Sequence, residues 1–150
     1  MKLSTRGRYG TRLMIELAKN YGNGPLRISE ISKSQGITVK YLEQLIIPLK
    51  KANLINSVRG PKGGHMLCKS PDKVTLWEVL NLLESKLTLV DCVTDETQCD
   101  YTGQCVVRPV WGKAYNAMMN VFKETTLEDI LRADKDGHNP VDSLNGLGSV

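Results

Sequence analysis

Three closely spaced cysteines are the residues of this sequence with the clearest capacity for chemistry. Cys92, Cys99 and Cys105 stand in the fifteen-residue segment 91–105, which contains no Lys, Arg or His. Thiolates are soft ligands that suit zinc and iron–sulfur clusters. The C-x6-C-x5-C spacing is wider than the C-x2-C of structural zinc sites and favours a cluster, whose ligands must straddle two iron atoms. From spacing alone, a cluster, a zinc ion and the absence of a metal all remain open.

The acidity of the segment bears on this choice. Asp91, Asp95, Glu96 and Asp100 surround the cysteines. Nearby carboxylates raise the pKa of a thiol and so disfavour the thiolate. A cationic iron centre would reverse that penalty.

The cellular compartment of the protein bears on whether its cysteines form disulfides or bind a metal. The chain has no apolar run near the ~20 residues that span a bilayer, and its first ten residues lack the apolar stretch of a secretion signal. We therefore expect a cytoplasmic protein without a membrane partner. Cytoplasmic thiols stay reduced, which favours a metal or redox site over disulfides.

The net charge of +4 conceals an unequal distribution along the chain. Residues 1–62 hold twelve basic and three acidic residues, a net charge of +9, whereas residues 63–150 carry −5. This asymmetry indicates a polyanionic partner at the basic end, although a solvated basic surface would give the same totals.

The basic half has the pattern of a helix-turn-helix. A first amphipathic helix is predicted over residues 5–20. The segment ISEISKSQGITVKYLEQLIIPLKKANL then predicts a short helix capped by Ser29, a turn at Gly36 and a second helix capped by Thr38. The second helix of such a motif can enter the DNA major groove. Pro48 within it predicts distortion of its last turns.

A two-stranded wing is predicted directly after these helices. Residues 54–58 and 65–69 read as short strands joined by RGPKGG. Arg59 and Lys62 stand at the tip, from which they can reach phosphates or a narrow minor groove. An ordinary hairpin turn would also use these glycines.

Helices are also predicted beyond the wing. Thr75 and Glu78 form a capping box for LWEVLNLLES, and Thr126 with Asp129 caps a last short helix. Between them, VVRPVWGKAYNAMMNVFKE carries an apolar stripe that predicts pairing with the same helix of a second chain. Packing against its own domain is the alternative. The stripe comprises Val107, Val110 or Trp111, Ala114, Met118, and Val121 or Phe122.

The expected fold is mainly α with a small two-stranded wing. The predicted division is a winged helix-turn-helix domain (1–85), a cysteine loop (86–106), a dimerisation helix with a short terminal helix (107–133) and a flexible tail (134–150).

Four segments together resemble a known family. KLSTRGRYG, ISEISKSQGITVKYLEQLI, SVRGPKGGHML and the three-cysteine loop resemble the IscR-like family of dimeric bacterial winged-helix repressors, which also includes the nitric oxide sensor NsrR. The resemblance spans residues 2–131. It implies a [2Fe-2S] cluster held by Cys92, Cys99 and Cys105, a homodimer joined through the long helix, operator DNA as partner and the iron–sulfur assembly machinery as cluster donor.

The resemblance also implies particular DNA contacts. Glu43 and Gln44 match positions that face base edges, where a carboxylate accepts from cytosine N4 and an amide pairs with adenine. Lys40 and Tyr41 lie at the helix start, where phosphate contacts are expected. Arg59 matches a wing residue that enters the minor groove. The predicted DNA-binding set is Thr38, Lys40, Tyr41, Glu43, Gln44, Arg59 and Lys62.

Two departures from the family leave the fourth cluster ligand open. Arg108 stands where IscR-like members have a histidine ligand, and Arg8 stands where NsrR-like members have an aspartate. Cys68, on the second wing strand, is interpreted as a buried small side chain. The candidate fourth ligands are Asp91, Asp95, Glu96, Asp100, Glu43 or an exogenous group.

The function that this sequence predicts is a transcription regulator of iron–sulfur assembly genes. A nitric-oxide-sensing repressor of the same fold and a zinc-stabilised protein-binding adaptor are the alternatives. An enzyme is not expected, because the sequence has no nucleotide-binding glycine loop and no plausible acid/base pair.

Overall fold

The computed structural model describes residues 2–135, so the predicted tail lies outside the described residues except for positions 134 and 135. The fold is mainly helical with one two-stranded sheet, as the sequence predicts. Short 3-10 turns occur at Pro71–Lys73 and Glu96–Gln98. The elements are α1 (Thr5–Lys19), α2 (Ile28–Gln35), α3 (Val39–Lys51), β1 (Ile55–Val58), β2 (Gly64–Leu67), α4 (Leu76–Leu83), α5 (Asp91–Thr94), α6 (Arg108–Glu124) and α7 (Leu127–Lys135).

The helix-turn-helix is α2 and α3, and local capping defines its ends. The Thr38 hydroxyl accepts a hydrogen bond from the backbone N–H of Tyr41 at 3.3 Å, as expected for the cap of α3. Gly36 adopts the left-handed conformation at φ 63°, which glycine tolerates without strain. The expected cap at Ser29 is wrong: α2 begins at Ile28, and Arg27 occupies the cap position with its backbone N–H bonded to Glu30 at 3.0 Å. Pro48 lies inside α3 without ending it.

The core is formed by the apolar faces of α1, α3 and α4, together with the wing strands. The α3 face predicted from the sequence is buried as expected. Its members are Leu42, Leu45, Ile46 and Leu49.

Two glycines allow α1 and α4 to approach closely. A Cβ atom added at Gly10 would lie 1.9 Å from Leu83 Cδ1, and one added at Gly7 would lie 2.0 Å from Glu84 Oε1. Glu84 also accepts hydrogen bonds from the backbone N–H and hydroxyl of Ser4, both at 2.9 Å. The start of α1 is therefore fastened to the end of α4.

The wing pairs β1 with β2 in antiparallel register, with Ile55 opposite Leu67 and Val58 opposite Gly64. Leu26 extends the sheet through two backbone hydrogen bonds with His65, at 2.9 and 2.8 Å. Cys68, just past β2, is exposed, so the expectation that it is buried is wrong.

The chain leaves the winged domain after α4 and returns to it after α6. Leu76 donates to Thr125 O at 2.8 Å, and Leu127 donates to Val74 O at 2.9 Å. The capping of α7 by Thr126 and Asp129 is confirmed by a 2.9 Å bond from the Thr126 N–H to the Asp129 carboxylate. Leu131 lies in the same core as α1. The terminal helix thus packs on the winged domain, rather than forming a unit with α6.

The two sides of α6 differ in their surroundings. Met119 is buried, whereas the sequence had placed the neighbouring Met118 on the apolar stripe. Lys123 lies 5.8 Å from the centre of the Trp77 ring on α4. The first half of the predicted stripe remains uncovered, since Val110 and Trp111 are 57% and 40% exposed. No helix within residues 2–135 is long and apolar enough to span a membrane.

Candidate nucleic-acid interface and cysteine loop

The exposed face of α3 carries most of the predicted DNA-binding residues. Lys40, Glu43 and Gln44 are exposed on this face, because Leu42 and its partners turn the opposite side into the core. Tyr41 is half-buried, and its ring meets the Tyr9 ring edge-on at 5.9 Å between centroids. Thr38 is exposed at the helix start, where it also acts as the cap.

The wing tip places its two cations in solvent. Arg59 and Lys62 are both exposed, and Gly60 between them adopts a φ of 113° that allows the tight turn. Arg27 Nη2 donates to Pro61 O at 2.7 Å, which anchors the tip to the start of α2. Sequence reasoning missed this anchor, because no local pattern connects residues 27 and 61.

His65 links the wing electrostatically to α3. Its Nδ1 lies 3.0 Å from the Ser57 hydroxyl on the opposite strand. Burial, followed by the positive charge of Lys50, lowers the pKa of His65, while the Glu43 carboxylate opposes the shift. The imidazole is therefore neutral near pH 7, and the strand accommodates it without a buried charge.

Two further residues of this surface escaped sequence reasoning. Arg6 on α1 borders the same groove as Tyr41, Gln44 and Lys51 of α3. Ile47, which also lines that groove, is 55% exposed. Its spacing of three residues from Gln44 was the signal that could have placed it on the exposed face.

The three loop cysteines occupy separate local structures. Cys92 lies in α5 and is half-buried, Cys99 is exposed after a 3-10 turn, and Cys105 is half-buried shortly before α6. Within residues 2–135, no three cysteine, histidine, aspartate or glutamate side chains are gathered closely enough to hold one metal ion.

Arg108 is the residue that ties this loop together. Its Nε donates to Cys92 O at 3.0 Å, and its Nη2 donates to the Glu96 carboxylate at 2.7 Å. The guanidinium therefore joins the first turn of the loop to its middle from the start of α6. A residue without metal-ligating ability thus has a structural role at this position.

Most candidate fourth ligands already have partners. Asp91 pairs with Lys86 at 2.7 Å, and Glu96 pairs with Arg108. Hydrogen bonds from the Thr97 hydroxyl and the Gln98 amide hold the pKa of Asp95 below its usual range. The remaining loop carboxylate, Asp100, is exposed.

A cluster is compatible with the donor chemistry of this loop. Three thiols are soft donors of the type that iron–sulfur clusters use, and two of them are half-buried. Among residues 2–135 these thiols are not gathered around a position for a single metal ion. Glu43 is exposed on α3, beside the predicted DNA-binding residues Lys40 and Gln44.

A helix-turn-helix followed by a two-stranded basic wing defines a winged-helix DNA-binding protein. The model of the Rrf2 family, described as "Iron-dependent Transcriptional regulator", matches residues 3–133. The chain therefore belongs to the Rrf2 family of transcriptional regulators.

Individual relatives refine the resemblance seen in the sequence. The transcriptional regulator CymR of Bacillus subtilis is 38% identical over 130 residues, which cover 87% of this chain and 89% of CymR. The solved structure of CymR, the global cysteine regulator of B. subtilis, has a TM-score of 0.75 at 37% identity, covering 87% of this chain and 95% of that one. The structure of T. potens IscR has a TM-score of 0.75 at 32% identity, covering 93% and 92%. The likeness to IscR is thus confirmed at the level of the family, and CymR is more similar in sequence.

Proposed function

We propose that this Rrf2-family regulator acts in the cytoplasm as a homodimer that represses or activates genes from an approximately palindromic operator. Each winged domain would bind one half-site, with α3 in the major groove and the wing tip at the minor groove. The observation that carries this proposal is that α3 and the wing tip both present polar and basic side chains to solvent. Lys40, Gln44, Arg59 and Lys62 are all exposed, within a segment whose net charge is +9.

The face of α3 supplies both parts of DNA recognition. Gln44 can pair with adenine, and Glu43 accepts from cytosine N4 while repelling phosphates. Lys40 contributes charge attraction to the backbone, which fixes register without reading sequence.

The uncovered stripe of α6 supports the homodimer. Val106, at 88% exposure, and Val107 are exposed just before α6, and Val110 and Trp111 are exposed in its first turn. Large apolar side chains exposed side by side indicate an interface. A second α6 offers a matching apolar surface by symmetry.

The cysteine loop is the proposed sensor. Cys92, Cys99 and Cys105 would hold a [2Fe-2S] cluster delivered by the iron–sulfur assembly machinery, and the regulated genes would include those of that machinery. A bound cluster would cross-link the loop at these three cysteines. Because α6 begins three residues after Cys105, ordering of the loop would alter how the two winged domains are spaced.

The test of the sensor is chemical. The full chain is purified without oxygen, and iron, sulfide and visible absorption are measured per chain. Iron and sulfide near two each, lost in Cys92→Ser but kept in Cys68→Ser, would support the cluster, since Cys68 is an exposed cysteine outside the loop. A colourless protein with one zinc per chain would overturn it.

A second candidate function is control of cysteine metabolism. It is favoured by the 38% identity to CymR of Bacillus subtilis, which is described as the global cysteine regulator of that organism. Iron-free protein that binds promoters of cysteine-metabolism genes and not those of cluster assembly would support this alternative.

A further inference from the structure

Ile47 is an apolar side chain in the middle of the polar face of α3. It is 55% exposed, although it is a large aliphatic residue. Successive helix residues are about 100° apart, so Ile47 lies about 200° from both Leu45 and Leu49, which are buried. Packing in the core therefore gives no reason for an isoleucine at this position.

The surroundings of Ile47 suggest what it contacts. It lies three residues after Gln44 and four after Glu43, so it is on the face assigned to base contacts. It shares a shallow groove with Pro48, and the groove is bordered by the cations Arg6 and Lys51. A groove lined by apolar side chains and two cations suits an apolar group that lies close to phosphates.

Within the DNA major groove, the 5-methyl group of thymine is the apolar feature that side chains contact. We propose that Ile47 reads a thymine methyl group at one position of each half-site, while Arg6 and Lys51 contact the adjoining phosphates. This inference rests on the proposed DNA-binding function and deepens it. It assigns to an aliphatic side chain a part of the sequence specificity that Glu43 and Gln44 do not supply.

The test removes the methyl group from the DNA. An operator is selected from a random duplex pool with the full wild-type chain, and each thymine is then replaced by uracil. A single replacement in one half-site should weaken wild-type binding about fourfold, the effect expected for one buried methyl group. Ile47→Ala should bind the thymine operator more weakly and show no thymine preference at that position.

Tyr21→Ala serves as the matched control, because Tyr21 is also an exposed large side chain but lies in the loop after α1. It should keep the wild-type thymine preference. If Ile47→Ala retains that preference, or no uracil replacement affects the wild type, the inference is wrong. Altered sedimentation of Ile47→Ala would instead assign the groove to a protein contact and also overturn it. A pool that yields no operator would refute the proposed function itself.

Discussion

At the scale of single residues, charges and hydrogen bonds connect the proposed DNA-binding surface to the fold. Arg59 is exposed at the wing tip. By contrast, Arg27 donates a hydrogen bond to Pro61 O at 2.7 Å, and Arg108 donates one to Cys92 O at 3.0 Å. Arg27 and Arg108 thus hold loops in place, whereas Arg59 is exposed to solvent.

Replacing Arg59 should change the salt dependence of operator binding. Each phosphate contact releases counterions, so Arg59→Ala should weaken binding and lower the slope of log affinity against log salt by about 1. Fluorescence titrations at several salt concentrations measure this slope. Lys73→Ala removes the same charge from an exposed site outside the α3 and wing surface and should leave the slope unchanged. Equal slopes for wild type and Arg59→Ala would contradict the assignment.

His65 should make the fold sensitive to mild acid. Because its pKa in the folded state lies below the ordinary 6.5, the unfolded chain binds more protons near and below that pH. The free energy of unfolding should therefore fall as the pH drops through about 6.5. Denaturant titrations between about pH 7.5 and 5.5 should show a smaller fall for His65→Gln. An identical pH dependence for both proteins would show that His65 is not responsible.

At the scale of elements, the sequence was sufficient where the controlling interactions are local. Thr38, Gly36 and the Thr75–Glu78 capping box could be predicted, because each acts within four residues of itself. The position of α7 could not be predicted, because it depends on contacts between residues far apart in the sequence. Thr75 and Thr126, which are separated by 50 residues, form a β-bridge that places α7 against the core. The loop contacts of Arg108 were equally inaccessible, because nothing in the spacing of residues 92, 96 and 108 specifies them.

The close contact of α1 with α4 predicts a cost for any added side chain. Gly10→Ala should lower the free energy of unfolding by about 1–3 kcal/mol, because its methyl group would collide with Leu83. Chemical denaturation measures the change. Gly103→Ala, whose Cβ would meet no atom within 4 Å, is the control and should be nearly neutral. A neutral Gly10→Ala would mean that the two helices separate readily.

The exposed half of α6 predicts dimerisation through an apolar contact. Trp111→Glu should place a charge in that interface and convert a dimer into a monomer, as measured by sedimentation velocity. Lys113→Glu alters the charge two residues away, on another side of the helix, and should remain dimeric. A wild type that sediments as a monomer, or a Trp111→Glu variant that stays dimeric, would contradict this interface.

At the scale of the whole molecule, the cysteine loop connects the winged domain to α6, the helix proposed to join two copies of the chain. Its anchor, Arg108, is also the first residue of α6, so the loop and the helix share one attachment point. The winged domain could be predicted almost completely from sequence. The state of the loop could not, because the proposed cluster would contribute binding energy that the chain alone does not encode.

If a cluster in the loop controls DNA affinity, as proposed, operator affinity must differ between the protein with and without the cluster. Operator dissociation constants are determined without oxygen for the cluster-containing and cluster-free full chain, and in parallel for a variant with Cys92, Cys99 and Cys105 all replaced by serine. We expect the two wild-type forms to differ by at least about fivefold, and the operator to change cluster affinity by the same factor. The serine variant should behave as the cluster-free form. Equal operator affinity in all three proteins would contradict control of DNA binding by the cluster.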